Sequence, residues 1–232
     1  MKIQAIIIAR GDSKGIHKKN IVNFFGKPLI YWTINQIKTS RICKDIWVSS
    51  DNDEILNISK KFGAKIIKRP KKFAKDKSSS EEAWLHAINY IENQKKLKID
   101  DNDILITPQV TSPLRKPIDF CNALKEFKEK NLDSLFTGDI INDYFIWEKK
   151  NNILLSTNYN YKKRLVRQKI FPKIHENGSF YIFKKKILTK YKNRLGGKIG
   201  SYLMPKNQSF QIDDNEDLII CKTLFKILYK YK

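Results

Sequence analysis

Ile6-Ile7-Ile8-Ala9-Arg10-Gly11-Asp12-Ser13-Lys14-Gly15 runs from an apolar segment straight into a short, glycine-flanked loop that carries cations. Lys18, Lys19 and Asn20 follow a few residues later. The apolar segment reads as a buried strand, since isoleucine packs well on a pleated surface and nothing polar interrupts it. The loop can fold backbone N–H groups around an anion, and lysine and arginine add full positive charge. A polyphosphate is the natural ligand for such a loop. It is not a Walker loop, because Gly-x-x-x-x-Gly-Lys-Ser/Thr is missing, and it is not a Gly-x-Gly-x-x-Gly dinucleotide turn.

Outward from that strand, the first half of the chain alternates strand and helix patterns. Short apolar runs predict strands over 4–9, 45–49, 64–67 and 103–107, with helices over 28–39, 52–62, 80–93 and 117–130. Pro28 suits a first helical turn, Gly63 suits a C-terminal cap, and Ser80 before Glu81 and Glu82 suits a helix start. This βαβ grammar predicts an α/β fold with a mainly parallel sheet and helices on both faces. After about residue 133 the rhythm changes. Strands are expected over 134–138, 144–147 and 179–183, and the stretch 142–172 is too irregular to be another βαβ unit. Leu218, Cys221, Leu224, Phe225 and Leu228 recur at helical spacing and predict a closing amphipathic helix over 214–231. One domain over 1–232 is expected, with an excursion at 139–173.

Composition narrows the function classes. With 41% hydrophobic residues, 232 residues can build a sizeable core. No apolar run approaches the roughly 18 residues of a membrane span, and the opening residues lack the pattern of a signal peptide. Cys43, Cys121 and Cys221 are odd in number and far apart, which fits a reducing cytoplasm and argues against a disulfide framework or a zinc knuckle. The formal charge of +22 invites a nucleic-acid reading. The lysines are scattered, however, and no basic arm or RNA-binding signature is present, so nucleic acid is disfavoured as a partner. Arg10-Gly11-Asp12 spells an adhesion tripeptide, a reading that the strand before it disfavours.

Further segments follow the opening loop in a fixed order. They are Gly26-Lys27-Pro28-Leu29; Val48-Ser49-Ser50-Asp51; Arg69-Pro70 with Phe73-Ala74-Lys75-Asp76 and Ser78-Ser79-Ser80; and Gln109 to Arg115. Arg167-Gln168, Glu176-Asn177-Gly178-Ser179-Phe180-Tyr181 and Ile212 to Leu218 complete the series. In order and spacing, the chain resembles the acylneuraminate cytidylyltransferases, the CMP-sialic acid synthetase family, from about residue 3 to 225. The resemblance implies a Rossmann-like fold of the nucleotide-diphospho-sugar transferase type, with 139–173 serving as a dimerisation excursion of a homodimer. It also implies a reaction. The anomeric hydroxyl of a nine-carbon 2-keto acid sugar attacks the α-phosphorus of CTP, giving CMP-sugar and pyrophosphate, with Mg2+ assisting.

The resemblance implies roles for individual residues, and their chemistry suits those roles. Arg10, Ser13, Lys14, Lys19 and Asn20 match the triphosphate loop, with Arg10 and Lys19 expected to be catalytic together with Asp213. Arg10 offers a fork of donors and the lysines offer point charges. Arg69 and Ser80 match the cytosine readers; Ser78 and Ser79 leave the register of the serine open, and Ser80 reads equally as a helix cap. Gln109 matches a position between nucleotide and sugar, while Arg115 reads equally as structural. Arg167, Asn177 and Tyr181 match the sugar pocket, Tyr181 being also readable as a half-buried strand residue. Asp213 matches a Mg2+ ligand. No residue stands out as a general base.

Three departures bear on these expectations. Gln211 replaces the first carboxylate of the usual Asp-Ile-Asp, which puts a two-carboxylate metal site in doubt. Asp12 stands where glycine is common, and His17 where proline is frequent. The segment Asn142 to Trp147 lacks the lysine that several sialic acid enzymes carry, so the expected substrate extends to related nonulosonates such as legionaminic acid. Rival readings are a cytidylyltransferase for the eight-carbon sugar acid Kdo, a non-catalytic sugar-nucleotide binder and an RNA-binding module.

Overall fold

The structure is a computed structural model and describes residues 1–141, 145–169 and 171–230. The opening isoleucine run forms β1 (Ile3–Ile8) at the heart of the main sheet. A small hairpin follows, β2 (Asn23–Phe24) and β3 (Lys27–Pro28), turning through Phe25 and Gly26, both at positive φ. Next come α1 (Leu29–Ser40), β4 (Ile46–Ser50), α2 (Asp53–Lys61), β5 (Lys65–Lys68), α3 (Ser80–Lys95), β6 (Ile104–Pro108) and α4 (Pro117–Glu129). The second half runs β7 (Ser134–Ile141), β8 (Trp147–Lys150), β9 (Ile153–Ser156), β10 (Lys173–Lys184), α5 (Lys185–Tyr191), β11 (Ile199–Leu203) and α6 (Asn215–Tyr229).

The main sheet has seven strands in the order β11-β7-β10-β6-β1-β4-β5. Only β10 runs against its neighbours; the other pairings, β1 with β4 and β6, β4 with β5 and β7 with β11, are parallel. The α/β sheet expected from sequence is therefore present. Because side chains alternate across a strand, β1 feeds two cores. Ala5 and Ile7 pack with α1, α4 and α6 through Ile34, Phe120 and Phe225. Ile6 packs on the opposite face with Trp47, Trp84, Ile88 and Leu188.

Local signals place the helix starts. Asn52 accepts from the backbone N–H groups of Glu54 and Ile55 at 2.8 and 3.2 Å, satisfying two orphan donors of α2. A capping box between Ser79 and Glu82 starts α3, and another between Asp214 and Asp217 starts α6. The cap of α3 is thus Ser79, which leaves Ser80 as its first helical residue. The strands expected over 134–138 and 179–183 are parts of the longer β7 and β10. The strand expected over 144–147 is not seen as such: Tyr144 lies outside the described residues, and the strand there starts at Trp147. Within 139–173, β8 and β9 form a two-stranded antiparallel hairpin separate from the main sheet. α5 and β11 were not anticipated, and β11 is a short edge strand of mostly intermediate burial whose sequence has no sustained apolar alternation.

Candidate functional site

The carboxyl ends of parallel strands are where an open α/β sheet places its ligands. Here β1 delivers Arg10, β5 delivers Arg69 and β6 delivers Gln109 to one rim. These residues line a cleft of about 500 Å³ together with Ser13, Lys14, Gly15, Lys19, Asn20, Lys75, Ser78, Ser79, Ser80, Gln211 and Asp213. All eight residues expected from sequence to bind CTP (Arg10, Ser13, Lys14, Lys19, Asn20, Arg69, Ser80 and Gln109) lie on this lining. Asp213, from the far end of the chain, joins them.

The basic loop is held by a few bonds to its own backbone. Gly11 N donates to Asp51 Oδ1 at 3.0 Å, and Asn20 Nδ2 donates to the carbonyl of Arg10 at 2.8 Å. Asn20 therefore lines the cleft while fixing the loop. Gly15 lies against the C-terminal motif so closely that an added Cβ would come 1.9 Å from the Asp213 carbonyl oxygen. That approach brings Lys19 Nζ within 2.8 Å of Asp213 Oδ1, the lysine largely covered and the carboxylate open to solvent.

Arg69 is 3% exposed, and its Nε has no hydrogen-bond partner among the described residues. Burial lowers its pKa from the ordinary guanidinium value, Asp51 pulls it back up, and Arg10 lowers it again. A buried guanidinium with donor capacity to spare is equipped to bind an acceptor-rich ligand. Ser80 lies at the first turn of α3, freed from capping by Ser79. Gln109 sits on a loop that Arg115 secures. The fully buried Arg115 guanidinium donates to the carbonyls of Gln109, Ser112 and Ser179 at 2.9, 2.7 and 3.1 Å and to Thr33 Oγ1 at 2.7 Å. Burial lowers its pKa to about 9, so it remains protonated at neutral pH. Of the two sequence readings for Arg115, the structural one describes its place.

The expected sugar contacts do not gather in the same way. Asn177 is buried: its Oδ1 accepts from Thr137 Oγ1 at 2.7 Å and from Ser179 N at 3.0 Å, and its Nδ2 donates to Ser209 Oγ at 2.9 Å. Tyr181 is 4% exposed and turns its ring into the core beside Trp84 and Phe183. Its hydroxyl donates to Glu176 Oε1 at 2.5 Å, and burial pushes its pKa up to about 12. Neither residue lines the cleft; both are buried, with their polar groups bonded inside the protein. Arg167 lies in a short 3-10 turn, Arg167–Lys169, and its side chain is outside the described residues. Sequence reasoning passed over Gly15 as a close-contact residue. It also gave no role to Gln211 in the cleft, where the amide donates to the carbonyl of Asn177.

The arrangement is a cleft that gathers several cations, a buried arginine, helix-start serines and a glutamine on one lining. A sequence profile described as Cytidylyltransferase matches residues 4–222. The chain belongs to the cytidylyltransferase family. It is 34% identical over 219 residues to the N-acylneuraminate cytidylyltransferase A of Danio rerio, a match covering 93% of this chain and 49% of that protein. The chain thus spans about half the length of such vertebrate relatives. It is also 30% identical to the pseudaminic acid cytidylyltransferase of Campylobacter jejuni, covering 98% of this chain and 97% of that one. Among solved structures, a CMP:2-keto-3-deoxy-manno-octonic acid synthetase complexed with CTP superposes with a TM-score of 0.67 at 16% identity, covering 98% of this chain and 99% of that chain. At that identity the likeness speaks for the fold.

For a family member with Gln211 in place of a carboxylate, the donor set for a divalent cation is small. No group of three or more His, Cys, Asp or Glu side chains that could hold a metal occurs among the described residues. Asp213 nonetheless presents an accessible carboxylate in the cleft. One carboxylate completed by substrate phosphates and waters fits the habits of Mg2+. No helix among the described residues is long and apolar enough to cross a membrane.

Proposed function

We propose that this chain transfers the CMP moiety of CTP to an acidic nine-carbon 2-keto sugar of the sialic, pseudaminic or legionaminic type, releasing pyrophosphate. The observation that carries the reading is the convergence on one cleft of Arg10, Lys14 and Lys19 with Arg69, Ser80 and Gln109. A triphosphate lies along the cationic end, where Arg10 supplies a fork of donors, Lys14 and Lys19 supply point charges, and Ser13 a neutral donor. At the other end Arg69 donates to the O2 and N3 acceptors of cytosine, and the Ser80 hydroxyl accepts from its amino group. Gln109 stands between base and sugar. As the α-phosphorus–oxygen bond breaks, charge gathers on the departing pyrophosphate, and the fixed cations stabilise it without reorganising. Asp213 would hold Mg2+, which when bound neutralises phosphate charge. Lys19, now paired with Asp213, would then turn to the phosphates.

The acid sugar would enter beyond Gln109, with Arg167 as the partner for its carboxylate. We assign the protein to a homodimer joined through the excursion. Ile146, Trp147, Ile153, Leu154 and Leu155 on and beside the β8–β9 hairpin, and Phe171 after it, are exposed, an apolar density suited to an interface. Three free cysteines and the absence of any described membrane-spanning helix accord with a cytoplasmic enzyme.

The test is pyrophosphate release from CTP and Mg2+ with a panel of sialic, pseudaminic, legionaminic and Kdo acids, with product masses measured. Release with a nine-carbon acid and formation of its CMP ester is expected. Absence of sugar-dependent release across the panel, or release with Kdo alone, refutes the reading.

A further inference from the structure

Asp76 lies in the segment between β5 and α3 and reaches across to the basic loop. Its Oδ1 accepts from Arg10 Nη1 at 2.9 Å, and its Oδ2 lies 3.3 Å from Lys14 Nζ. One carboxylate therefore bridges two of the cations assigned above to the triphosphate. We propose that Asp76 is an internal stand-in for the polyphosphate: it holds Arg10 and Lys14 in position in the ligand-free protein and is displaced when phosphate groups take the same donors. The inference rests on the reading that this loop receives a polyphosphate.

Three features carry it. The first is geometry, since a carboxylate and a phosphoryl group present comparable oxygen pairs to a guanidinium and an ammonium. The second is the mobility open to the group. Asp76 is exposed, and among the described residues its side chain pairs with these two cations alone, so displacement breaks no other side-chain bond there. Lys14, and to a lesser degree Arg10, hold its carboxyl below the ordinary aspartate range, so it stays ionised and competitive at neutral pH. The third is the segment itself, which is tied down mainly by local turns. Phe73 N, Ala74 N and Ser78 N donate to the carbonyls of Pro70, Lys71 and Lys75, and Ser78 Oγ donates to that of Lys72. The Asp76 bridge is the long-range tether of this strap to the basic loop, and the strap also contributes Lys75, Ser78 and Ser79 to the cleft. Occupation of the loop by phosphates thus releases a strap that lines the same cleft. When pyrophosphate departs, Asp76 reclaims its partners and opposes rebinding.

The test uses pyrophosphate alone as the probe, with no nucleotide or sugar, measured by calorimetry at low salt on wild type, Asp76→Asn and Asp76→Glu. Removing an exposed competitor of two ion pairs is expected to tighten pyrophosphate binding roughly two- to tenfold in Asp76→Asn, while Asp76→Glu stays near wild type. Misfolding cannot mimic this, because it weakens binding. Equal or weaker binding by Asp76→Asn overturns the proposal. Trypsin provides a second readout, since Lys71, Lys72, Lys75 and Lys77 are exposed on the strap. Faster cleavage there in ligand-free Asp76→Asn supports the tether, and an unchanged rate overturns it. Neither measurement depends on cytosine or sugar, so a failed turnover assay and a failed competition are separable.

Discussion

Gly15→Ala isolates the contact that brings the two ends of the chain together. The added methyl would lie 1.9 Å from the Asp213 carbonyl oxygen and 3.0 Å from its carbon. Ordinary contact begins near 3.4 Å, so the basic loop and the Asp213 segment must separate by about 1.5 Å. The obstacle is backbone, which cannot step aside by changing rotamer. Gly15 is not at positive φ, so the effect is steric and not conformational. Overpacking of this kind costs roughly 1–3 kcal/mol, and a displacement of about 1 Å at reacting groups can cost about a hundredfold in rate. The expected outcome is a fall of about two orders of magnitude in CTP-dependent pyrophosphate release, with the melting temperature lowered by only several degrees. Gly11→Ala serves as the comparison. Its methyl would meet Asn52 Cβ at 2.9 Å, an overlap about 1 Å smaller than the one at Gly15, and the loss should be distinctly smaller. Turnover by Gly15→Ala within about threefold of wild type, or a loss no greater than that of Gly11→Ala, would refute the reasoning.

Lys19→Met is expected to reduce turnover by about a hundredfold or more, as loss of a fixed donor to developing charge does. Its melting temperature should barely move, because its ion-pair partner Asp213 is mostly exposed; thermal denaturation beside the pyrophosphate assay checks both. Arg115→Met strips donors from three carbonyls and from Thr33 and should cost about 3–5 kcal/mol, read as a large drop in denaturation midpoint. Asp133 is held at about 2 by Lys184, the Lys198 N–H and Lys186. A carboxyl depressed in the folded state stabilises above its unfolded pKa and loses that contribution as pH falls through the folded one. Asp133→Asn should therefore be about 1–2 kcal/mol less stable at neutral pH, the gap closing between about pH 4 and 2 in urea titrations.

The alternation of isoleucine-rich runs with capped amphipathic segments was enough to read the parallel sheet and its helices, because strand and helix periodicities are local properties of a chain. The cations of the opening loop and Gln109 were legible for a related reason, whereas Arg69 was singled out by the family resemblance. In a parallel sheet the residues just past each strand converge on one rim, so naming the strands points to the rim where a ligand would bind. The limits of local reading appear at Asn177, Tyr181 and Arg115. Each has side-chain chemistry suited to a ligand, and only the folded structure shows that those donors and acceptors are already engaged, with Thr137, Ser209 and Thr33 from far along the chain and with Glu176 from the same strand. The same holds for Gly15 and Asp76. Nothing in their neighbours along the chain discloses that Asp213 lies against one, or that the other bridges Arg10 and Lys14. Sequence carries the type of each chemical group and the rhythm of its element. Tertiary structure decides which groups are left with unspent hydrogen-bonding capacity, because that depends on partners distant in the chain.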